Sequence, residues 1–125
     1  MKSITAMYGG LTVLLFAGLS AYVSVLRGKY KTKLGDNAEP EVLRAVRAQG
    51  NAAEYIAVLL LMLFFAEMLG GNRTVLHVVG GLILLARVLH AYGILATSQA
   101  VRIAGAGINY LVLFGLPAYV LYLRF

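Results

Sequence analysis

The chain contains no cysteine, which excludes disulfides, thiolate metal sites and a thiol nucleophile supplied by the protein itself. Any thiol chemistry must arrive with a second molecule. Charge is also scarce: Asp, Glu, Lys and Arg make up 13% of the 125 residues, against about a quarter in an ordinary soluble domain. The first apolar segment holds no acidic residue, which argues against a small proton-coupled exporter needing a carboxylate there. Nor does a small-residue cleavage site clearly precede a soluble region, so that segment is expected to be a retained helix rather than a signal peptide.

What is present is mostly apolar. Hydrophobic residues account for 61% of the chain and the mean hydropathy is +0.83, values that belong in a bilayer. A spanning helix takes about 20 apolar residues, so the length fits four spans in one membrane domain covering residues 1–125. The pattern predicts helices over 4–26, 40–69, 74–95 and 103–123, joined by short connections that make neighbours antiparallel. The fold class expected is an all-α, up-down bundle of four transmembrane helices.

Basic residues outnumber acidic ones and the net charge is +6. Much of that charge lies between residues 27 and 47, beside a span, where membrane lipid headgroups rather than nucleic acid are the ordinary partner. The first span ends in Arg27, Lys29, Lys31 and Lys33, and a polar loop with Gly35, Asp36 and Asn37 follows. Pro40 suits the first turn of helix 2, and Glu39 and Glu41 set negative charge at the positive end of its dipole. At roughly 45 Å that helix exceeds the roughly 30 Å hydrocarbon core, so its first turns should project from the membrane. Gly70, Gly71 and Asn72 separate spans two and three, and Thr97-Ser98-Gln99 separates three from four.

Arg27, Lys29, Lys31, Lys33, Arg44, Arg47 and Arg102 gather on one side, against Lys2, Arg73 and Arg124 on the other. The positive-inside rule therefore makes loops 1 and 3 cytoplasmic and turns both termini outward. The brevity of the chain suggests a bacterial inner membrane. Asn72-Arg73-Thr74 matches a glycosylation sequon, but its closeness to two spans makes it a chance occurrence. Gly80, Gly81, Gly105, Gly107 and Gly115 are expected to let helices approach closely, and Pro117 to bend helix 4. Glu67, at the outer end of helix 2, is expected to face water.

The most specific pattern is R-A-V-R-A-Q-G-N-A-A-E-Y at residues 44–55. On a helix, at about 100° per residue, Arg44, Arg47, Asn51, Glu54 and Tyr55 share roughly a quarter of the circumference. Guanidiniums, an amide, a carboxylate and a phenol on one face suit a small ligand bearing carboxylates and an amine. Structural readings compete with this one. Arg44, Arg47 and Arg102 would also serve as headgroup anchors, and Glu54 would also neutralise Arg87, the other charge inside an apolar helix. His77 and His90 lie about 20 Å apart along one helix, so they cannot share a metal, and no metal is expected.

The 44–55 run resembles the helix 2 signature of the MAPEG family, membrane-associated proteins in eicosanoid and glutathione metabolism. Length, four spans and loop pattern fit across essentially the whole chain. The resemblance implies a homotrimer with glutathione held between neighbouring subunits near the cytoplasmic side. Arg47, Asn51, Glu54 and Tyr55 would then grip the peptide, with Arg87 supporting it from helix 3 and Arg44 completing the motif. Arg102 would stabilise the thiolate, since a cation beside sulfur lowers a thiol pKa from about 8.5. A lipophilic electrophile or hydroperoxide would enter from the bilayer. One departure matters: the tyrosines that such enzymes place one and two turns after the helix 3 arginine are His90 and Ile94 here. His90 could replace a phenolic hydrogen bond. The departure also keeps open a ligand-binding or scaffold protein that has the fold without turnover.

Overall fold

The structure, a computed structural model, describes residues 2–36 and 38–125; Asn37, one of the expected loop-1 residues, lies outside them. Four helices follow one another, α1 (Ile4–Lys29), α2 (Pro40–Met68), α3 (Arg73–Leu95) and α4 (Gln99–Arg124), with no strand among the described residues. Each is long and apolar enough to cross a membrane. The chain is an all-α, multi-pass integral membrane protein.

Local chemistry sets the helix boundaries. The Ser3 hydroxyl oxygen accepts the Ala6 N–H at the start of α1, and Asn72 Oδ1 accepts the Thr74 and Val75 N–H groups at the start of α3, the usual work of an N-cap. Asn72 of the sequon is therefore a capping residue. Pro40 occupies the first turn of α2. α4 begins at Gln99 rather than 103, because the Arg102 N–H already donates to the Ser98 carbonyl, and this puts Arg102 in the first turn. Pro117 lies within an α4 that runs unbroken to Arg124.

Three helices stop in the same way. The residue after each C-cap enters the left-handed region, Lys31 (φ 53), Gly70 (φ 76) and Thr97 (φ 56). The following N–H then reaches back to a carbonyl in the last turn: Thr32 to Arg27, Gly71 to Ala66 and Ser98 to Gly93, each at 2.9 Å. This is the Schellman arrangement, which normally uses glycine. Only the α2 terminus has one.

α2 and α3 form the centre. α1 packs on both, α4 packs on both, and α1 and α4 do not meet. α2 turns Val42, Ala45, Ala48, Ala52, Ile56, Leu59, Leu63 and Ala66 inward, a spacing of three and four that keeps one stripe buried. At the outer end Ile4, Leu59, Leu63, Leu76, Ile83, Val112 and Leu116 form one core. Toward the inner end the α2 stripe is mostly alanine, which lets α1 and α3 lie close to it.

Glu67 does not simply face water. Its carboxylate accepts the Ser3 hydroxyl at 2.8 Å and the Ile4 and Thr5 N–H groups at 2.6 and 2.9 Å. The free amides at a helix N-terminus form an anion site, and α1 presents its own to this side chain. Of the glycines expected to permit close packing, Gly80 makes room for the Tyr8 ring and Gly105 for the α3 backbone, while Gly107 and Gly115 face open space.

Candidate functional site

The site begins one residue away from the buried stripe of α2. Arg44, Arg47 and Asn51 each precede an inward alanine, Ala45, Ala48 and Ala52, and Glu54 continues the same row. A step of about 100° turns that row from the core onto the flank facing the α3–α4 hairpin. There Arg44, Arg47, Asn51 and Glu54, with His90 and Arg102 opposite, line a cavity of about 830 Å³.

Two glycines bring the opposite wall together. Where a Cβ would stand on Gly93 it would meet the Arg102 backbone, at 2.6 Å from Cα, and on Gly105 it would lie 2.9 Å from both the Ala86 carbonyl and the His90 Cα. Each helix thus gives the other a surface with no side chain, and His90 and Arg102 reach the same space. Arg102 and Glu54 are exposed and His90 is half-buried. Three guanidiniums against one carboxylate leave the lining cationic, suited to an anionic ligand.

Arg87 and Tyr55 lie behind this wall rather than on it. The Arg87 side chain is buried, only 2% exposed, and donates to Asn51 Oδ1 at 2.7 Å. Its guanidinium sits 5.1 Å from the centre of the Tyr55 ring, within the range of a cation–π contact, and its Nε has no partner. Tyr55 packs against the outer core. The ion pair expected between Glu54 and Arg87 is not formed; among the described residues the salt bridge found is Lys29–Glu41 at 3.6 Å. The reason is the register of the two helices: Arg87 meets α2 at Asn51, about one turn before Glu54, whose side chain stays exposed.

The polar turn between α3 and α4 adds Thr97 and Gln99 to the lining, neither of which the sequence singled out. Both lie in a segment whose polar composition reads as a solvated connection. Ile94 also lines the cavity, contributing no hydrogen bond. No group of three His, Asp or Glu able to hold a metal occurs among the described residues.

Loop 1 is tied to the start of α2 beside this cavity. Tyr30 donates its hydroxyl to Glu41, Lys29 pairs with the same carboxylate, and Tyr22 reaches it at 3.4 Å. The Glu41 carboxylate holds the Tyr30 phenol above its ordinary pKa by accepting its proton in a hydrogen bond, an effect reinforced by burial.

Four antiparallel spans, with a cationic cavity between α2 and the α3–α4 hairpin at their basic end, define a small polytopic membrane protein. The chain belongs to the MAPEG family, whose sequence model matches residues 5–122. It is also 36% identical over 90 residues to the inner membrane protein YecN of Escherichia coli strain K12, covering 72% of this chain and 69% of that protein. The YecN protein of Escherichia coli O6:H1 is similar to the same extent.

Proposed function

We propose that this protein is a glutathione-dependent transferase or peroxidase acting on lipophilic electrophiles or hydroperoxides, and that it works as a homotrimer in a bacterial inner membrane. The observation that carries this reading is the convergence of Arg44, Arg47, Asn51, Glu54, His90 and Arg102 on one cavity. Glutathione carries two carboxylates, an ammonium group, two peptide units and a thiol, and these residue types answer each of them. Arginine forks match carboxylates, and Glu54 matches the ammonium. Asn51 gives its oxygen to Arg87, which leaves its NH₂ to donate to a peptide carbonyl. The exposure of Glu54 and Arg102 favours a second copy of the chain closing the cavity.

In this reading glutathione supplies the thiol that the chain lacks. Arg102 stands where positive charge favours the thiolate, and His90 beside it accepts the thiol hydrogen bond. Arg87 is a positioning residue that acts through Asn51. With the thiol substrate fixed, the protein contributes orientation and electrostatic stabilisation. For conjugation, a C–S bond forms as the leaving group departs with its electron pair.

The test is turnover of purified protein with glutathione and an aryl halide. Arg102→Ala is expected to lower kcat by on the order of 100-fold with a much smaller change in KM; unaltered kcat would remove Arg102 from the chemistry. A second reading, a ligand-binding or scaffold protein with the same fold, is favoured by Ile94 lining the cavity where family enzymes place a phenol. Calorimetric binding of glutathione that is lost in Arg47→Ala, with no turnover on any electrophile, selects that second reading.

A further inference from the structure

We propose that the inner end of α1 carries a second site, independent of the large cavity, that binds the phosphate of an anionic lipid. A cavity of about 510 Å³ is lined by Ser24, Arg27, Gly28, Lys31, Thr32 and Lys33. It shares no lining residue with the larger one. Half of its lining residues are cationic and none is acidic, which is the composition of an anion site rather than of a neutralised surface.

The fold builds this site actively. Lys31 adopts the left-handed conformation that ends α1, one that costs a residue bearing a Cβ. The chain therefore doubles back, burying Thr32 to 4% exposure and leaving Lys31 and Lys33 exposed on either side of it. Arg27 is fixed from behind, one terminal nitrogen donating to the Gly35 carbonyl at 3.3 Å. Its Nε is buried with no acceptor, and a buried donor left unmatched is costly. Gly28 contributes open space, since a Cβ there would meet nothing within 4 Å. The guanidinium of Arg27 and the two lysine ammoniums that line the cavity supply the charge and the donors that a phosphate takes.

Neighbouring carboxylates do not compete. Glu41 is taken up by Lys29, Tyr30 and Tyr22, and Asp36 Oδ1 accepts the Ala38 N–H. Lys31 and Lys33 form no salt bridge among the described residues. The site lies at the end of a span on the basic side of the bundle, the depth at which headgroup phosphates meet juxtamembrane cations. Inorganic phosphate shares the recognised chemistry, and the experiment separates the two sources.

The full-length protein, in a neutral maltoside detergent, is mixed with phosphatidylglycerol, with phosphatidylcholine at equal mole fraction, or with inorganic phosphate, and bound lipid and melting temperature are read by native mass spectrometry and thermal unfolding. Phosphatidylglycerol is expected to be retained selectively and to raise the melting temperature. Lys31→Gln with Lys33→Gln should weaken that retention by about 30-fold, from about fivefold for each basic residue at an anionic surface. Lys29→Gln, whose ammonium faces Glu41, should leave it within about twofold. Both exchanged lysines are exposed, and an unchanged circular dichroism spectrum verifies that the double variant keeps its fold. Stabilisation by inorganic phosphate that the double variant also loses supports the same site with a soluble source. Equal retention of phosphatidylcholine, undiminished retention by the double variant, or an equal loss in Lys29→Gln overturns the proposal.

Discussion

Arg87 on α3 donates to the side-chain oxygen of Asn51 on α2 across 2.7 Å, so a buried cation at the centre of the bundle is held by a neutral amide rather than by a carboxylate. The bond turns Asn51 and links the core to the cavity wall. It also makes the two residues unequal in what their loss costs. Asn51→Leu removes the acceptor and strands a buried charge, which is expected to cost about 2–3 kcal/mol. Arg87→Leu removes the charge itself and leaves only the neutral oxygen of the half-buried Asn51 without its donor, so its cost should be the smaller of the two, about 1–2 kcal/mol. Reversible unfolding in mixed micelles measures both. A larger loss for Arg87→Leu than for Asn51→Leu would mean that the guanidinium serves packing with Tyr55 instead.

The wall formed by α3 and α4 should be intolerant of a single methyl group at two places. A Cβ at Gly93 or Gly105 would press on the backbone of the other helix, and overpacking of this kind costs about 1–3 kcal/mol. Gly93→Ala and Gly105→Ala are each expected to destabilise the protein by that amount and to separate His90 from Arg102. Gly107 faces open space, so Gly107→Ala should be neutral or gain up to about 1 kcal/mol from helix propensity. Thermal unfolding of the three variants checks the order; equal effects at all three positions would show that the approach of α3 and α4 is not the cause.

The sequence and the structure part company where the decisive partner is distant along the chain. Hydropathy places all four helices, and the three-and-four spacing of Arg44, Arg47, Asn51 and Glu54 places four polar side chains on one flank, because both are local properties of a helix. Glu67 reads as a solvated end residue, since nothing near it in sequence reveals that the N-terminus of α1 brings three donors to it. Two charges in apolar helices suggest that Glu54 and Arg87 pair, but the register of α2 against α3 decides the matter, and that register is not written in either helix alone. Gly70 announces its turn by being glycine. Lys31 and Thr97 take the same conformation with no such signal, and so the rims of both cavities are hidden from a reading of residue types.

Thr97 is the most strained of these turn residues, a β-branched side chain at φ 56 on the edge of the large cavity. Glycine is the natural occupant of that position. Thr97→Gly is expected to raise stability by about 1 kcal/mol, since the relief of strain exceeds the added freedom of the unfolded chain. Gly70→Ala, at φ 76, should lower it by a similar amount. Melting temperatures of the two variants should move in opposite directions. A fall for Thr97→Gly would show that its side chain, which donates to the Ala96 carbonyl at 2.7 Å, contributes more than the backbone strain removes.

The contact between Tyr30 and Glu41 gives loop 1 a dependence on alkaline pH. The protonated phenol is the donor to the Glu41 carboxylate, and that bond raises the phenol's pKa above its ordinary value of 10.0. A group whose pKa is raised on folding contributes its full stability below the unfolded value and loses it as pH rises through the folded one. The tether between loop 1 and α2 should therefore be intact at neutral pH and weaken only above about pH 10. Subtracting the ultraviolet titration of Tyr30→Phe from that of the parent protein isolates this phenol, and its midpoint should lie above the ordinary tyrosine range. Glu41→Gln should return the midpoint toward that range, because an amide accepts the hydrogen bond without the carboxylate's charge. A midpoint at or below the ordinary value in the parent protein would mean that Lys29, which also approaches the Tyr30 ring, governs the phenol, and that the carboxylate is engaged by the ammonium alone.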